Sequence, residues 1–502
     1  MSHVGFRHER DTVELEADYV VVGSGAGGAT AACTLARGGA QVVIVEAGPW
    51  RDPDDYPHSA YGSMRDLFDD WGSLVTRGRA LWPVVQASVV GGTTVINSAI
   101  AVRTPGDVFA RWQREHGVGG DVMAQALWRH QEDLERELHV EEVPVVARGV
   151  AHRLAVVGGA ALDYGGHEMH RYSKGCIGMG TCLQGCRSKR KQSTNLNFVP
   201  EVLERGGHVL SCAPVKKVLF EGRRAVGVTG RFRDPGRLAR GAAFTVRARR
   251  GVVVAASATH SPALLERSGV RSKALGKFFR AHPGSGVFGC YDHAVDMNQG
   301  VTQGWSTTKF REDPGLKLET LSIPFEMVAG RLAGAGSELM ERIGEYRHLA
   351  MWVHAVRAET VGTVSNGAFD KPVVRYTLEP ADMERFRQGT YLIAKLHFAA
   401  GARAVIPGIH GAPYKIGPDE VEQLRDAPLD PRRYVAILSH LFGGCVMGAD
   451  PSRSVCDERG RVHGYERLHV ADASVMPTNL GVNPQHTIMA LARHFAQGML
   501  GA

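Results

Sequence analysis

The chain has no long apolar segment, no strong charge excess and few aromatic residues. No run of 18 or more apolar residues occurs among its 502 residues, so the sequence predicts no membrane-spanning helix. The formal net charge of +7 is mild for this length and favours scattered, solvated arginines over a nucleic-acid or membrane-binding face. The polar N-terminus is unlike a signal peptide. We therefore expect a cytoplasmic address, unless a partner subunit carries an export signal.

Cysteine is also sparse. Its distribution argues weakly against a disulfide framework and more strongly for one local cluster. Three of the eight cysteines, Cys176, Cys182 and Cys186, lie together in a glycine-laced segment. Clustered thiols in a reducing compartment indicate a metal or redox role more than disulfides. Zinc would need a fourth ligand, for which His170 is a candidate. A metal-free loop is the remaining interpretation.

Glycine, by contrast, is abundant, and a nucleotide-binding fingerprint opens the chain. An apolar run at 18–22 leads into spaced glycines, a helical segment at 29–35 and a second apolar run at 41–45 that ends in Glu46. The glycines are Gly23, Gly25 and Gly28. They serve a tight turn, close approach of a pyrophosphate and close helix packing, while Glu46 suits the ribose hydroxyls. The pattern predicts an adenine dinucleotide without separating FAD from NAD.

A second glycine-rich loop favours a flavin. The segment 89–97, VVGGTTVIN, follows what we interpret as an apolar strand. An isoalloxazine ring needs backbone within van der Waals distance, and this loop can supply it. Two further segments belong to the same pattern: 215–228 alternates as strand, turn and strand, and 251–269 is a strand that runs into a helix opened by Ser261-Pro262.

Together these segments resemble the glucose–methanol–choline (GMC) family of FAD oxidoreductases. The motifs that carry the resemblance are GSGAGG with Glu46, GGTTVIN, SATHSPALLERSG, LGKFFRAHP and the C-terminal block, and they span about 18–495. Arg271 departs from the family's usual glycine. Ile96 stands where some members carry a histidine joined to the flavin, so noncovalent FAD is expected.

The resemblance implies an α/β fold with a Rossmann-like FAD-binding domain built from discontinuous segments. We assign residues 1–110, 195–285 and 430–502 to that domain. Residues 111–194 would form a connecting region that carries the cysteine-rich loop. Residues 286–429 would form a substrate domain with a mostly antiparallel sheet, for which alternating patterns and a helix at 381–400 are the sequence indications.

The C-terminal block supplies the catalytic candidates. A neutral imidazole suits removal of a hydroxyl proton, and His440 aligns with the family's active-site histidine. Asn483 aligns with its partner on the substrate oxygen, beside the flavin N5 atom that would receive hydride. Asn483 is also a good N-cap, with Pro484 at the first helical position. Asp472 resembles the residue near the ribityl chain and pyrophosphate.

The cofactor-binding candidates are therefore spread over the whole chain. They are Gly23, Gly25, Gly28, Glu46, Gly91, Gly92, Thr93, Asn97, Val215, Asp472 and Pro484. For the roof over the flavin the pattern offers Phe325, Met327, Trp352 and His354, and His486 is a further candidate for the pocket. This roof would suit a hydrophobic alcohol, a sterol-like ring or a sugar.

The predicted function is oxidation of a small-molecule alcohol to an aldehyde or ketone, with dioxygen, a quinone or dye, or a cytochrome as electron acceptor. A non-redox FAD-containing lyase of the hydroxynitrile type is an alternative. A third interpretation rests on Cys176, Cys182 and Cys186, whose spacing resembles the [3Fe–4S] segment of electron-transferring sugar dehydrogenases. No nucleic-acid partner is expected.

Overall fold

The computed structural model describes residues 2–7 and 11–501. The helices are α1 (Ala26–Arg37), α2 (Ala60–Leu67), α3 (Gly106–His116), α4 (Gly120–Glu137), α5 (Val150–Ala161), α6 (Phe198–Glu204), α7 (His260–Arg267), α8 (Phe325–Ala329), α9 (Gly336–Gly344), α10 (Pro380–Ala399) and α11 (Gln485–Leu500). None of these helices is both long and apolar enough to cross a membrane.

The strands are β1 (Ser2–Val4), β2 (Val13–Val22), β3 (Val42–Val45), β4 (Val140–Glu142), β5 (His167–Glu168), β6 (His170–Tyr172), β7 (His208–Leu210), β8 (Val215–Glu221), β9 (Arg224–Arg233), β10 (Arg240–Val254), β11 (Arg280–Ala281), β12 (Gly284–Cys290), β13 (Trp305–Thr307), β14 (Leu316–Thr320), β15 (Leu349–Val356), β16 (Thr363–Asn366), β17 (Pro372–Arg375), β18 (Ala404–Ile406), β19 (Ala436–Ile437), β20 (Leu441–Phe442) and β21 (Leu468–Val470).

The first sheet is parallel in the order β1-β7-β3-β2-β10, and β21 adds in parallel to the end of β10. The apolar ends of β2 and β3 are buried, as expected for parallel strands covered on both faces. On its side away from β2, the first half of β10 pairs antiparallel with β9, which pairs with β8. This arrangement confirms the predicted Rossmann-like unit and extends it with an antiparallel meander.

The second sheet is antiparallel, in the order β18-β12-β15-β14-β13-β5, with β19 also on β12. The alternating patterns at 284–293, 316–327 and 347–356 predict strands, and β12, β14 and β15 lie there, although residues 325–327 belong to α8. The patterns at 359–367 and 372–379 also predict strands, and β16 and β17 lie there as a separate two-stranded sheet. The predicted helix at 381–400 is α10, which packs on this sheet. β5 and β19 come from segments that the sequence assigned to the neighbouring regions. The domain boundaries themselves stay a prediction.

One face of the second sheet matters for function. Register places residues of β12, β15 and β14 in three rows across the sheet. The rows are Gly284, Ala355 and Lys317; Gly286, Val353 and Glu319; and Phe288, Met351 and the residue that follows β14, Leu321. Because side chains alternate along strands, residues two apart share a face. The first two rows carry glycine on β12, which leaves space above that strand.

Candidate active site

A single cavity of about 1400 Å³ connects the two sheets. Its lining includes Gly23 and Glu46 at one end and His440 and Asn483 at the other. The volume exceeds the roughly 300–1,000 Å³ of an ordinary small-molecule site. It therefore has room for a dinucleotide cofactor and a substrate together.

The turn after β2 requires glycine at two positions. Gly23 has φ +100, and a Cβ there would lie 2.3 Å from the carbonyl oxygen of Ala255. A Cβ on Gly28 would lie 2.1 Å from the carbonyl oxygen of Gly23. Gly25 has ordinary dihedral angles, and a Cβ there would meet only Gly92 Cα, at 3.8 Å. Gly25 therefore keeps the backbone open toward the cavity, as a pyrophosphate would need.

The two glycine loops are joined through Ser24 and Glu46. The Glu46 carboxylate accepts hydrogen bonds from the Ser24 N–H at 2.9 Å and the Ser24 hydroxyl at 2.7 Å. The Gly91 N–H donates to the same hydroxyl at 2.9 Å. Burial raises the pKa of Glu46, and hydrogen bonds from Gly48 and Ser24 oppose that shift. The acidic residue is thus fixed at the lip of the predicted nucleotide site.

Most of the predicted site residues line this one cavity. They are Gly23, Gly25, Glu46, Gly92, Thr93, Asn97, Val215, His440, Asp472, Asn483 and Pro484. Gly28 and Gly91 stand behind its surface, where they shape the two loops. The expected strand before the second loop is wrong: residues 89–91 form a turn, and a 3₁₀ helix follows over Gly92–Val95. The roles of these residues stay predictions.

Asp472 is held by backbone and hydroxyl donors. Its carboxylate accepts hydrogen bonds from the N–H groups of Ser257 at 2.9 Å and Ser474 at 2.8 Å, and from the Ser261 hydroxyl. Burial raises its pKa, and the serine donors act in the opposite direction. Because Ser257 and Ser261 belong to the turn and helix after β10, Asp472 joins the parallel sheet to the C-terminal block.

His440 lies between a second histidine and an asparagine. Its Nδ1 is 3.2 Å from His282 Nδ1, and its Nε2 is 3.3 Å from Asn483 Nδ2. The backbone holds the histidine pair, because His282 N–H donates to the His440 carbonyl at 2.9 Å beside the β11–β20 pairing. The structure therefore brings the two predicted catalytic residues together and adds His282.

A buried lysine determines how these groups share protons. Lys317 Nζ donates to Asn483 Oδ1. Because an ammonium group only donates, the amide oxygen of Asn483 must face Lys317 and its NH₂ must face His440. His440 Nε2 is then the acceptor, and its proton resides on Nδ1 toward His282. In this network the His440 ring is neutral, and its Nε2 lone pair faces the amide.

Lys317 is itself paired. It forms an ion pair with Glu319, and Gln303 Nε2 donates to the other oxygen of that carboxylate at 2.6 Å. Both charged side chains are almost completely buried. Sequence reasoning missed this pair, although charges two residues apart in the apolar strand LKLET share one sheet face. Such a pattern in a buried strand is the signal that could have found it.

The imidazoles are held in the neutral state. Burial lowers the pKa of His440 to about 4; Glu319 raises it and Lys317 lowers it further. Burial, together with His440 and Lys317, lowers the pKa of His282 well below its usual value. Both rings are therefore uncharged near neutral pH, the state that a general base requires.

Two expectations for the C-terminal block differ from the structure. Asn483 does not cap α11, because its amide is committed to Lys317 and His440. Pro484 precedes the helix, which begins at Gln485, instead of standing at its first position. The start of α11 still meets the cavity, since Pro484, Gln485 and Ile488 line it.

Only some of the predicted roof and pocket residues line the cavity. Met327 lines the cavity, whereas His354 borders it only with its backbone, because its buried ring packs against Phe386 and Thr390 of α10. Trp352 is buried on the opposite face of the sheet, where its ring stacks on His397 at 3.8 Å. Phe325 is 44% exposed and packs on Tyr346. His486 lies outside the cavity lining, held between the hydroxyl of Tyr172 and the carboxylate of Glu135.

The cysteine loop encloses an arginine. The Arg171 guanidinium contacts Cys182 Sγ at 3.1 Å and Cys176 Sγ at 3.7 Å, while the Lys191 N–H donates to Cys186 Sγ at 3.4 Å. Arg171 and Lys191 outweigh burial and lower the pKa of Cys182 to about 7. No group of three metal-ligating side chains is found within residues 2–7 and 11–501. The predicted [3Fe–4S] or zinc site is not supported, because a cation occupies the space between the thiols.

Comparisons with known proteins agree with this architecture. Family models for the N- and C-terminal parts of GMC oxidoreductases match residues 17–284 and 359–492. An uncharacterized GMC-type oxidoreductase of Mycobacterium tuberculosis is 36% identical, covering 95% of this chain and 74% of that protein. Long-chain-alcohol oxidase FAO1 of Arabidopsis thaliana is 27% identical, covering 96% and 66%.

A crystal structure of formate oxidase shares the fold, with a TM-score of 0.74, 17% identity and coverage of 97% of this chain and 98% of that one. The fold and site define a flavoprotein oxidoreductase that acts on alcohol-type donors. The chain belongs to the GMC oxidoreductase family.

The residues present fit FAD. A glycine cradle that a Cβ would fill, a buried acidic residue at its lip and a cavity larger than one substrate needs all suit a dinucleotide. Gly25 and Glu46 would hold its nucleotide half, and the Gly92 loop, Asp472 and Pro484, which line the same cavity, would contact the rest of the cofactor.

Proposed function

We propose that the protein oxidises a primary or secondary alcohol to a carbonyl compound, with His440 as the general base and FAD bound without a covalent link. The observation that carries this proposal is the His440–Asn483–Lys317 chain at the end of the cavity remote from Gly23. It presents one basic nitrogen and one amide donor to the same space.

The chain's own groups divide the work at the substrate oxygen. A hydroxyl placed between His440 and Asn483 donates its proton to Nε2 and accepts a hydrogen bond from the amide, which steadies the developing negative charge. Lys317 fixes the direction of that amide. FAD, when bound, supplies the two-electron acceptor for the hydride that leaves the carbinol carbon.

Ile96 lines the cavity and offers no nucleophile for a covalent flavin bond. For the electron acceptor we propose dioxygen, because the alcohol-oxidising relative from Arabidopsis is named an oxidase. The apolar residues around the base suit a hydrophobic alcohol. They include Leu321, Ile323, Met351, Val353 and Ile437.

The test is a panel of alcohols scored in parallel for dye reduction and peroxide release. We expect hydrophobic alcohols to give peroxide in air, with one carbonyl product per peroxide. Dye reduction without peroxide would overturn the acceptor while leaving the alcohol chemistry in place. Turnover of a cyanohydrin with neither peroxide nor dye reduction would support the lyase instead.

A further inference from the structure

Arg331, at the substrate end of the cavity, forms no ion pair with any carboxylate of residues 2–7 and 11–501. It lines the cavity two residues beyond α8, together with Met327 from that helix. Its Nη2 donates to the carbonyl oxygen of Gly286 at 3.3 Å, and its Nε is buried without a hydrogen-bond partner. Burial lowers its pKa to about 10, and no neighbouring carboxylate acts against that shift.

A purely structural role explains this position poorly. A basic residue just past a helix commonly binds the last helical carbonyls, but the guanidinium of Arg331 reaches across to β12. Lys317, the buried cation on this sheet, has Glu319 beside it, whereas Arg331 packs against the sheet from the segment after α8. Burying an unpaired charge is costly, and proteins normally compensate it. The missing anion is therefore expected from the cavity.

The distance between His440 and Arg331 determines how long the molecule that carries this anion must be. Gly286 lies four residues beyond His282, on the order of 13 Å along an extended chain. The intervening face carries Ala355 and Val353, which are apolar. Glu319 acts on His440 but not on Arg331, so it repels a second carboxylate at the base and not at Arg331. A guanidinium fork matches a carboxylate in two parallel hydrogen bonds.

We propose that the substrate is an amphiphilic hydroxy acid, whose carbinol meets His440, whose apolar spacer lies along the sheet face and whose carboxylate binds Arg331. This inference rests on the proposed function and narrows its substrate class. Arg331 contributes to specificity and to binding, and it takes no part in the transfer of the proton or of the hydride.

The test compares ω-hydroxyalkanoates of increasing chain length with their methyl esters, using the holoenzyme. We expect the acid to exceed its ester by about tenfold to hundredfold in kcat/KM at the best length. Arg331→Met should erase this ratio by lowering kcat/KM for the acid far more than for the ester, while Arg331→Lys should keep part of the ratio. Arg65→Met is the matched control, since Arg65 lines the same cavity but is paired with Asp66.

A second readout needs no turnover. An alkanoate that lacks the hydroxyl should perturb the flavin absorption spectrum, with a Kd that Arg331→Met weakens about tenfold or more. Equal turnover of acid and ester by the unaltered enzyme would overturn the proposal, as would an equal loss of both in Arg331→Met. If neither alcohol reduces the flavin, the proposed function fails. Alkanoate binding then still decides the role of Arg331, and a Kd unaffected by Arg331→Met overturns it.

Discussion

The two ends of the cavity are built in different ways. The nucleotide end is formed mainly by backbone atoms. Gly23 and Gly28 leave no space for a Cβ, and Glu46 is held by hydrogen bonds from backbone N–H groups and one hydroxyl. The substrate end is formed by side chains: Lys317 lies more than a hundred residues before His440 and Asn483 in the sequence, and the three meet through a short chain of hydrogen bonds. Local sequence therefore specifies the first end, and tertiary pairing specifies the second.

The largest expected effect comes from breaking the backbone end. Gly23→Ala places a methyl group 2.3 Å from the Ala255 carbonyl oxygen at φ +100, a conformation that costs about 1–3 kcal/mol before the clash is counted. We expect the purified variant to retain no flavin after gel filtration, by absorbance, and to have no activity. Gly498→Ala is the control, because nothing lies within 4 Å of a Cβ there. Stoichiometric flavin in Gly23→Ala would contradict this account of the turn.

A substitution at the side-chain end should instead leave flavin binding intact. His440→Ala removes the base but no nucleotide contact, so flavin content should be normal while the rate of anaerobic flavin reduction falls about 10²- to 10⁴-fold. Stopped-flow absorbance measures that rate. His494→Ala, a histidine outside the cavity lining, should leave it unchanged. A His440→Ala rate within a few-fold of the unaltered enzyme would remove His440 from the mechanism.

The pH dependence of kcat/KM tests the role of the side-chain end further. The base acts when neutral, so kcat/KM should be flat near neutral pH and fall as pH drops through the pKa of about 4 of His440. Lys317 lowers that pKa and Glu319 raises it. Lys317→Met should therefore move the acid limb about one unit upward, and Glu319→Gln should move it downward. Shifts in the same direction for both variants would contradict the assigned network.

Lys317→Met should also slow the reaction, by about tenfold to hundredfold, because the Asn483 amide loses its charged anchor. A merely structural loss would lower the rate without moving the pH profile. The paired variant Lys317→Met/Glu319→Gln removes both charges and distinguishes the two cases, since it restores the acid limb toward its original position if the charges act on His440.

The smallest effect is expected at the cysteine loop, which belongs to neither end. Dialysis against a chelator should cause no loss of activity, and the purified protein should show flavin absorption with no stoichiometric iron. Cys182→Ser should retain flavin reduction, because Arg171 also donates to the Ser98 carbonyl and stays anchored. Stoichiometric iron that is lost together with activity would restore the cluster hypothesis.

The nucleotide end and the outline of the fold were predictable because their determinants are local. A strand, three glycines, a helix and an acidic residue occupy 29 consecutive positions, 18–46, and α1, β2 and β3 lie there. His440 and Asn483 were found through a family resemblance and not through local chemistry.

The substrate end could not be predicted in the same way. Lys317 and Glu319 reach His440 only through the β14–β15–β12 register, which no local pattern encodes. Trp352 and His354 were both predicted on the roof, yet alternation along β15 places both side chains on the opposite face, against α10. Asn483 was expected to cap a helix, but its amide oxygen instead accepts a hydrogen bond from the buried Lys317.

The most direct test of the central claim is anaerobic mixing of the holoenzyme with a hydrophobic alcohol, monitored at the flavin absorption band with product analysis. We expect complete bleaching, one carbonyl product per flavin, and bleaching slowed by deuterium at the carbinol carbon. Consumption of substrate with the flavin still oxidised would contradict it.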